Sequence, residues 1–180
     1  MRSPERFLAT VGRRPVDRPC TWLGIPHPAA IENLLRHFKA ASLRELTARL
    51  DDDIVPVELP YHSPTSDAIY TALNFAGQES TSASDRTLTR PGFFANRTDL
   101  RDVAMFDWPD PAQYISRERC RKEIAAVPPG RVCLGVIWSA HFQDACAAFG
   151  MEHALAALHS APGMFRAVID RVVEFYLRAN

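Results

Sequence analysis

The sequence lacks net charge. Lysine plus arginine and aspartate plus glutamate number 21 each in 180 residues, so no summed field pulls the chain onto a phosphate backbone or an anionic lipid surface, and nucleic acid is excluded as an expected partner. No apolar run approaches the length of a membrane span. The opening residues MRSPERFLATVGRRPVDRP place charges in every window where a signal peptide needs an apolar stretch, which predicts a cytoplasmic protein. Cysteine is sparse. Cys20, Cys120, Cys133 and Cys146 form no C-x-x-C pair and have no histidine at zinc-finger spacing. They read as free, mostly buried thiols, with Cys120 and Cys146 on apolar helical stripes. No internal repeat and no G-x-S-x-G elbow is present, so Ser139 and His141 do not read as a hydrolase pair.

What remains is an ordinary globular composition, 47% hydrophobic and 23% charged, long enough for one domain with a packed core. Ser3, Pro4 and Glu5 open a helix that runs through Val11 and is closed by Gly12. Cys20 to Ile25 reads as a first strand. Pro28 opens a helix with Ile31, Leu34, Leu35 and Phe38 at helical spacing, and Ser42 with Glu45 forms a capping box for another that ends at Leu50. Asp51 to Asp53 reads as a solvated turn. Ile54 to Leu59 follows as a second strand, with Pro56 demanding an edge or a bulge.

Residues 61 to about 115 read as a long loop insertion, rich in Ser, Thr, Asp and Asn up to Arg90. Phe93, Phe94, Phe106 and Trp108 then read as a lid or plug, serving as core or dimer contact rather than a cofactor platform. A helix from Ser116 carries Cys120, Ile124 and Val127 on one face. Val132 to Trp138 is the clearest strand, apolar on both faces as in a parallel sheet. Phe142, Ala145, Cys146 and Phe149 form the next stripe up to Gly150, Met151, Leu155 and Leu158 continue it, and Pro162 opens a last helix with Phe165, Val168, Val172, Phe175 and Tyr176 inward.

Strands joined by helical crossovers predict an α/β fold in which the three strands are mutually parallel. An eight-stranded (β/α) barrel needs roughly 200 to 400 residues, so three βα units would make a partial (β/α)8 TIM barrel with two open sheet edges. Such edges predict self-association or a homodimer.

Four phrases resemble the uroporphyrinogen decarboxylase superfamily: PERFLATVGRRPVDRPCTW, LRELTARLDDDIVPVELPY, RPGFFANRTDLRDVAMFDWPDPAQYISRERC and LGVIWSAHFQDACAAFGMEHALAALHSAPGMF. The resemblance implies that residues 1–180 are the N-terminal part of one barrel domain acting in methyl transfer or, alternatively, in decarboxylation of a uroporphyrinogen-like tetrapyrrole. A further alternative is a non-catalytic truncated fragment or interaction protein that pairs with another chain through its open edges, and the 180 residues alone are expected to be inactive. Decarboxylases of the family carry an arginine pair after the first strand. The matching segment here, Trp22 to His27, has none, and Cys146 stands where they have a tyrosine, so recognition of a polycarboxylate is disfavoured. Methyl transfer from a small methylated compound or a corrinoid is the leading implication. Corrinoid or zinc enters by resemblance alone, because the family's metal ligands would lie beyond residue 180, and no metal ligand is assigned here.

In such barrels the working residues stand after the carboxyl ends of the strands. That rule selects Trp22 and His27 after the first strand, Glu58, Tyr61 and His62 after the second, and Trp138, Ser139, His141, Gln143 and Asp144 after the third. Glu58 and His141 are the candidate catalytic pair and the others the candidate substrate contacts, with Glu58, Tyr61, His62, Trp138 and His141 expected on one concave surface. A carboxylate on an apolar strand must be paired or shifted in pKa. Glu58 is therefore either a general base or the partner of Arg86 or Arg90.

Overall fold

The computed structural model describes residues 1–24, 26–64, 67–75, 88–138 and 141–180. The chain divides into two compact units, one formed by Met1–Glu58 and Arg117–Val136, the other by Leu59–Ser116 and Ile137–Asn180.

In the first unit the helical stripes form where the spacing places them: α1 (Ser3–Val11), α2 (Pro28–Phe38), α3 (Leu43–Arg49) and α5 (Arg117–Ala125). Ser42 Oγ accepts from the Glu45 amide at 3.2 Å. Glu45 itself reaches back to the Ala41 amide at 2.7 Å, one residue earlier than the expected box. Among the described residues the sheet has two strands, β1 (Ile54–Glu58) and β2 (Val132–Val136), which pair in parallel with Ile54 opposite Val132 and Glu58 opposite Val136. The fold is therefore mixed α/β with a parallel pair, as the alternation of elements implies.

The first expected strand, Cys20 to Ile25, does not join that ladder, and Ile25 lies outside the described residues. The reason is chemical. The Thr21 amide donates to Asp53 Oδ2 at 3.0 Å and the Leu23 amide to Asp52 Oδ2 at 3.0 Å, so two carboxylates accept what strand carbonyls would have accepted. Among the described residues the single main-chain link is Asp53 N–H to Thr21 C=O at 3.0 Å. Pairing alternates sides along a strand. Val132 N–H donates to Asp53 C=O, so Val55 and Val57 turn their polar groups to β2 and Pro56 turns the position of its missing N–H outward, where no bond is lost.

Two helical faces in this unit are shallower than their patterns suggest. No residue of α2 or α5 is fully buried, and Ile124 of the expected α5 stripe is 49% exposed.

The second unit packs α6 (His141–Phe149), α7 (Met151–Ser160) and α8 (Pro162–Ala179) together, with the 3-10 turn Pro111–Gln113 against α8. Short α4 (Arg101–Met105) supplies buried Val103. Gly150 turns the chain between α6 and α7 at φ 83°, a left-handed conformation that favours glycine. The α8 stripe buries Val168, Val172, Phe175 and Tyr176 as expected, with Phe165 half-buried.

In α7 the phase differs from the expected one: Ala154 and Ala157 are inside, while Leu155 and Leu158 are about half exposed. Alanines allow close approach to α6, whose Ala145 and Ala148 are also buried. Contact distance rather than side-chain size sets the inward face. On α6, Phe142 is likewise outside at 59%.

The stretch read as a loop insertion is not a mere excursion. Tyr61, Ile69, Leu73 and Phe75 are buried in the core of this unit. Phe94 is fully buried among Phe75, Phe93, Phe106, Trp108 and Phe149, with ring centroids 4.9 to 6.2 Å apart. The aromatic quartet is core. Trp108 also satisfies its indole N–H on the Val103 carbonyl at 2.7 Å.

Candidate functional site

The amino ends of β1 and β2 carry a charged cluster where the sequence pattern alone predicts a solvated turn. Asp53, immediately before β1, is 0% exposed. Arg6 of α1 donates to its Oδ1 at 2.5 Å, and Arg18 grips both oxygens, at 2.7 and 3.2 Å. Arg6 in turn holds Asp17 in a two-pronged contact, 2.8 Å from each oxygen. Arg131, immediately before β2, reaches Asp51 at 2.9 Å and also the Asp52 carbonyl.

Each acid responds. Burial by itself raises the Asp53 carboxyl, but the Thr21 amide, Ser3, Arg6 and Arg18 outweigh it and bring it down to about 2. Hydrogen bonding to Arg6 first, then to the amino terminus, lowers Asp17 far below the carboxylate range, and Arg131 lowers Asp51. Acid–base catalysis near neutral pH needs groups poised near that pH, and these are locked as anions. The cluster is a structural lock. The sequence did carry a signal for it, in three consecutive aspartates ahead of a strand and arginines at 6, 18 and 131.

At the carboxyl ends of the same strands Glu58 is exposed and Val136 half-buried, so the burial on which the expected pairing of Glu58 rested is absent. A solvated carboxylate needs no partner, and Arg86, one of its expected partners, lies outside the described residues. Trp22 is 37% exposed, and His27 is exposed and caps α2 by accepting the Ala29 amide on Nδ1 at 3.2 Å. These three belong to the first unit. Tyr61, His62, Trp138, His141, Gln143 and Asp144 belong to the second.

Within that second unit the candidates are spread over different environments. Tyr61 is buried, edge-on to Tyr114 at 6.0 Å, and burial raises its phenol, partly offset by a hydrogen bond with Ser63. His62 is exposed and meets Asp67 at 2.5 Å. Trp138, His141 and Gln143 are exposed. The His141 ring packs edge-on to buried Tyr176 at 5.6 Å. Asp144, one turn further along α6, is fully buried, where no ligand from solution touches it. Ser139 lies outside the described residues. Cys146 is buried and its thiol is raised by that burial, the condition of an inert cysteine.

A cleft of about 570 Å³ in the second unit lies elsewhere, lined by Pro91, Phe93, Asn96, Arg97, Asp99 and Asp102 among others. Arg97 covers the Phe93 ring at 4.0 Å and pairs with Asp102 at 2.9 Å, while Arg101 holds Asp99 at 2.6 Å. Its charges are matched internally. No sequence pattern pointed to it, because it is assembled by the turn at residues 91–99 rather than by a strand end.

Among the described residues no group of three or more His, Cys, Asp or Glu side chains converges as a metal site, and no helix is long and apolar enough to cross a membrane. Comparison with family models, with curated proteins and with solved structures gives no match.

Proposed function

We propose that the chain is the amino-terminal part of a (β/α) barrel enzyme similar to the uroporphyrinogen decarboxylase superfamily, and that the complete enzyme transfers a methyl group between a small methylated compound and a corrinoid. One observation carries the reading: the two ends of the parallel pair differ in kind. The amino ends hold the locked ion cluster of Asp53 and Arg131, whereas Glu58 stands open at the carboxyl end. Barrel enzymes divide stability and chemistry between the same two ends.

By the strand-end rule Glu58 and His141 are the residues assigned to the chemistry, with Trp22, His27, His62, Trp138 and Gln143 as substrate contacts. Tyr61 and Asp144, both buried, become supporting residues. The decarboxylase alternative lacks a guanidinium anywhere in Trp22 to His27, and polycarboxylate binding needs such forks.

The test is methyl transfer from methylated amines, thiols and methoxylated compounds to cob(I)alamin, followed through cobalt–carbon bond absorbance. It is run on the chain alone and on the chain with whatever coding sequence follows Asn180. Transfer that requires the following sequence and is lost in His141→Ala supports the reading. Activity of the chain alone, or loss of carbon dioxide from a porphyrinogen, overturns it.

A further inference from the structure

His27 sits between two prolines, Pro26 and Pro28. The residue before a proline is held in extended backbone, and His27 has φ −57° and ψ 137°. Pro28 occupies the first helical position of α2 and brings no N–H. The first two amides of the helix both close on His27: Ala30 N–H donates to its carbonyl at 2.8 Å, and Ala29 N–H donates to its ring Nδ1 at 3.2 Å. Helices are ordinarily capped by Ser, Thr, Asp or Asn. Serine and threonine hydroxyls and the asparagine amide do not change charge near neutral pH, whereas imidazole does.

We propose that His27 is a pH-sensitive cap, closing the first turn of α2 as the neutral imidazole and releasing it on protonation. Two effects act in one direction. Accepting on Nδ1 requires the ring proton to sit on Nε2, so a second proton removes the acceptor. The imidazolium would also stand at the positive end of the α2 dipole.

Among the described residues, no charged side chain of α2 or α3 is bonded to the His27 ring. On α2, Glu32 and Arg36 lie beyond the first turn, and Arg36 is engaged by Asn33. On α3, which packs against α2, Glu45 is engaged by Arg49 and the Ala41 amide, and Arg44 reaches the Ala126 carbonyl. No carboxylate hydrogen-bonds or ion-pairs with His27 to hold the imidazolium in place. Protonation of the ring therefore loosens the first turn of α2.

The experiment is amide exchange by NMR on the 15N-labelled full chain between about pH 5 and 8, the range in which imidazoles titrate, with each rate corrected for intrinsic pH dependence. Ring 15N shifts of His27 report the tautomer in the same samples. The Ala29 amide is expected to lose about fivefold protection as His27 protonates, the worth of a typical N-cap. In His27→Asn, which keeps an acceptor that does not titrate, protection stays level across the range. His27→Ala shows low protection at every pH. An Ala29 amide indifferent to His27 protonation, a neutral ring with its proton on Nδ1, or the same acid loss in His27→Asn overturns the proposal.

Discussion

Arg6 and Asp53, 47 residues apart in sequence, meet at 2.5 Å with side-chain exposures of 7% and 0%. The contact ties α1 to the start of β1, and Arg18 closes the other side of the same carboxylate. Removing one partner of a buried ion pair leaves the other uncompensated, at a cost of about 3 to 5 kcal/mol. Asp53→Asn is expected to lose about that much in urea unfolding. Equal stability of mutant and parent would show that the pair adds nothing net.

The same cluster sets the acid limit. Asp53 is held at about 2 against an ordinary 3.8, so its stabilisation is complete above the ordinary value and disappears as pH falls through the lower one. Asp17 and Asp51 are lowered too and act in the same direction. Circular dichroism in mild urea is expected to show stability level above about pH 5 and falling between about pH 4 and 2. In Asp53→Asn that fall should be shallower. A fall centred on neutral pH instead would point away from these carboxylates.

Helices α1 and α8 and both paired strands are legible in the sequence because their signals are local: apolar spacing, Pro at the first turn, glycine at the end. The fate of Cys20 to Gly24 is not local. It depends on Asp52 and Asp53 taking the amides of Leu23 and Thr21 from 29 and 32 residues away, and an isolated triple aspartate reads as a turn. The α7 phase is hidden for a similar reason, since alanines face inward only because a neighbouring helix comes close. Of the candidate site, the strand-end rule placed Glu58 correctly in β1 but misjudged its environment. Exposure is a property of the folded surface, not of one strand's pattern.

Glycine at 92 is a packing requirement. A Cβ built there would stand 2.0 Å from the Ala147 carbonyl oxygen and 2.4 Å from that of Ala148, both backbone. The neighbouring Phe94 amide donates to Ala148 C=O at 2.9 Å, so the two segments cannot separate without losing a bond. Gly92→Ala should destabilise by about 1 to 3 kcal/mol, as overpacking does. Gly163→Ala, with open space around its Cβ position in α8, should be neutral or stabilising by about 0.5 kcal/mol. Thermal melts of the two variants test the contrast, and equal melting temperatures would remove it.

Aromatic burial in the second unit gives a matched pair of variants. Phe94 is fully buried and touches five other aromatic rings, while Phe142 is 59% exposed. Phe94→Ala is expected to cost about 3 to 5 kcal/mol. Phe142→Ala should stay within about 0.5 kcal/mol of the parent. Denaturant midpoints decide it; a large loss at Phe142 would mean that this ring is covered in solution.

The two edges of the parallel pair are unequal, and the inequality predicts how the chain associates. On the outer side of β1, Pro56 offers no N–H and the Thr21–Leu23 segment is already tied to Asp52 and Asp53. On β2 the polar groups of Cys133 and Gly135 point away from β1 by the alternation of the ladder, and both residues are exposed. An unprotected edge recruits another strand. With one edge blunted, pairing β2 to β2 across a two-fold axis uses up the available edge in both copies and stops at a dimer. Light scattering during size exclusion at micromolar concentration is expected to report a dimer. Cys133→Lys, which places a charge on that edge, should shift it toward monomer. A monomer in the parent, or a dimer untouched by the lysine, would show that this edge is not where copies meet.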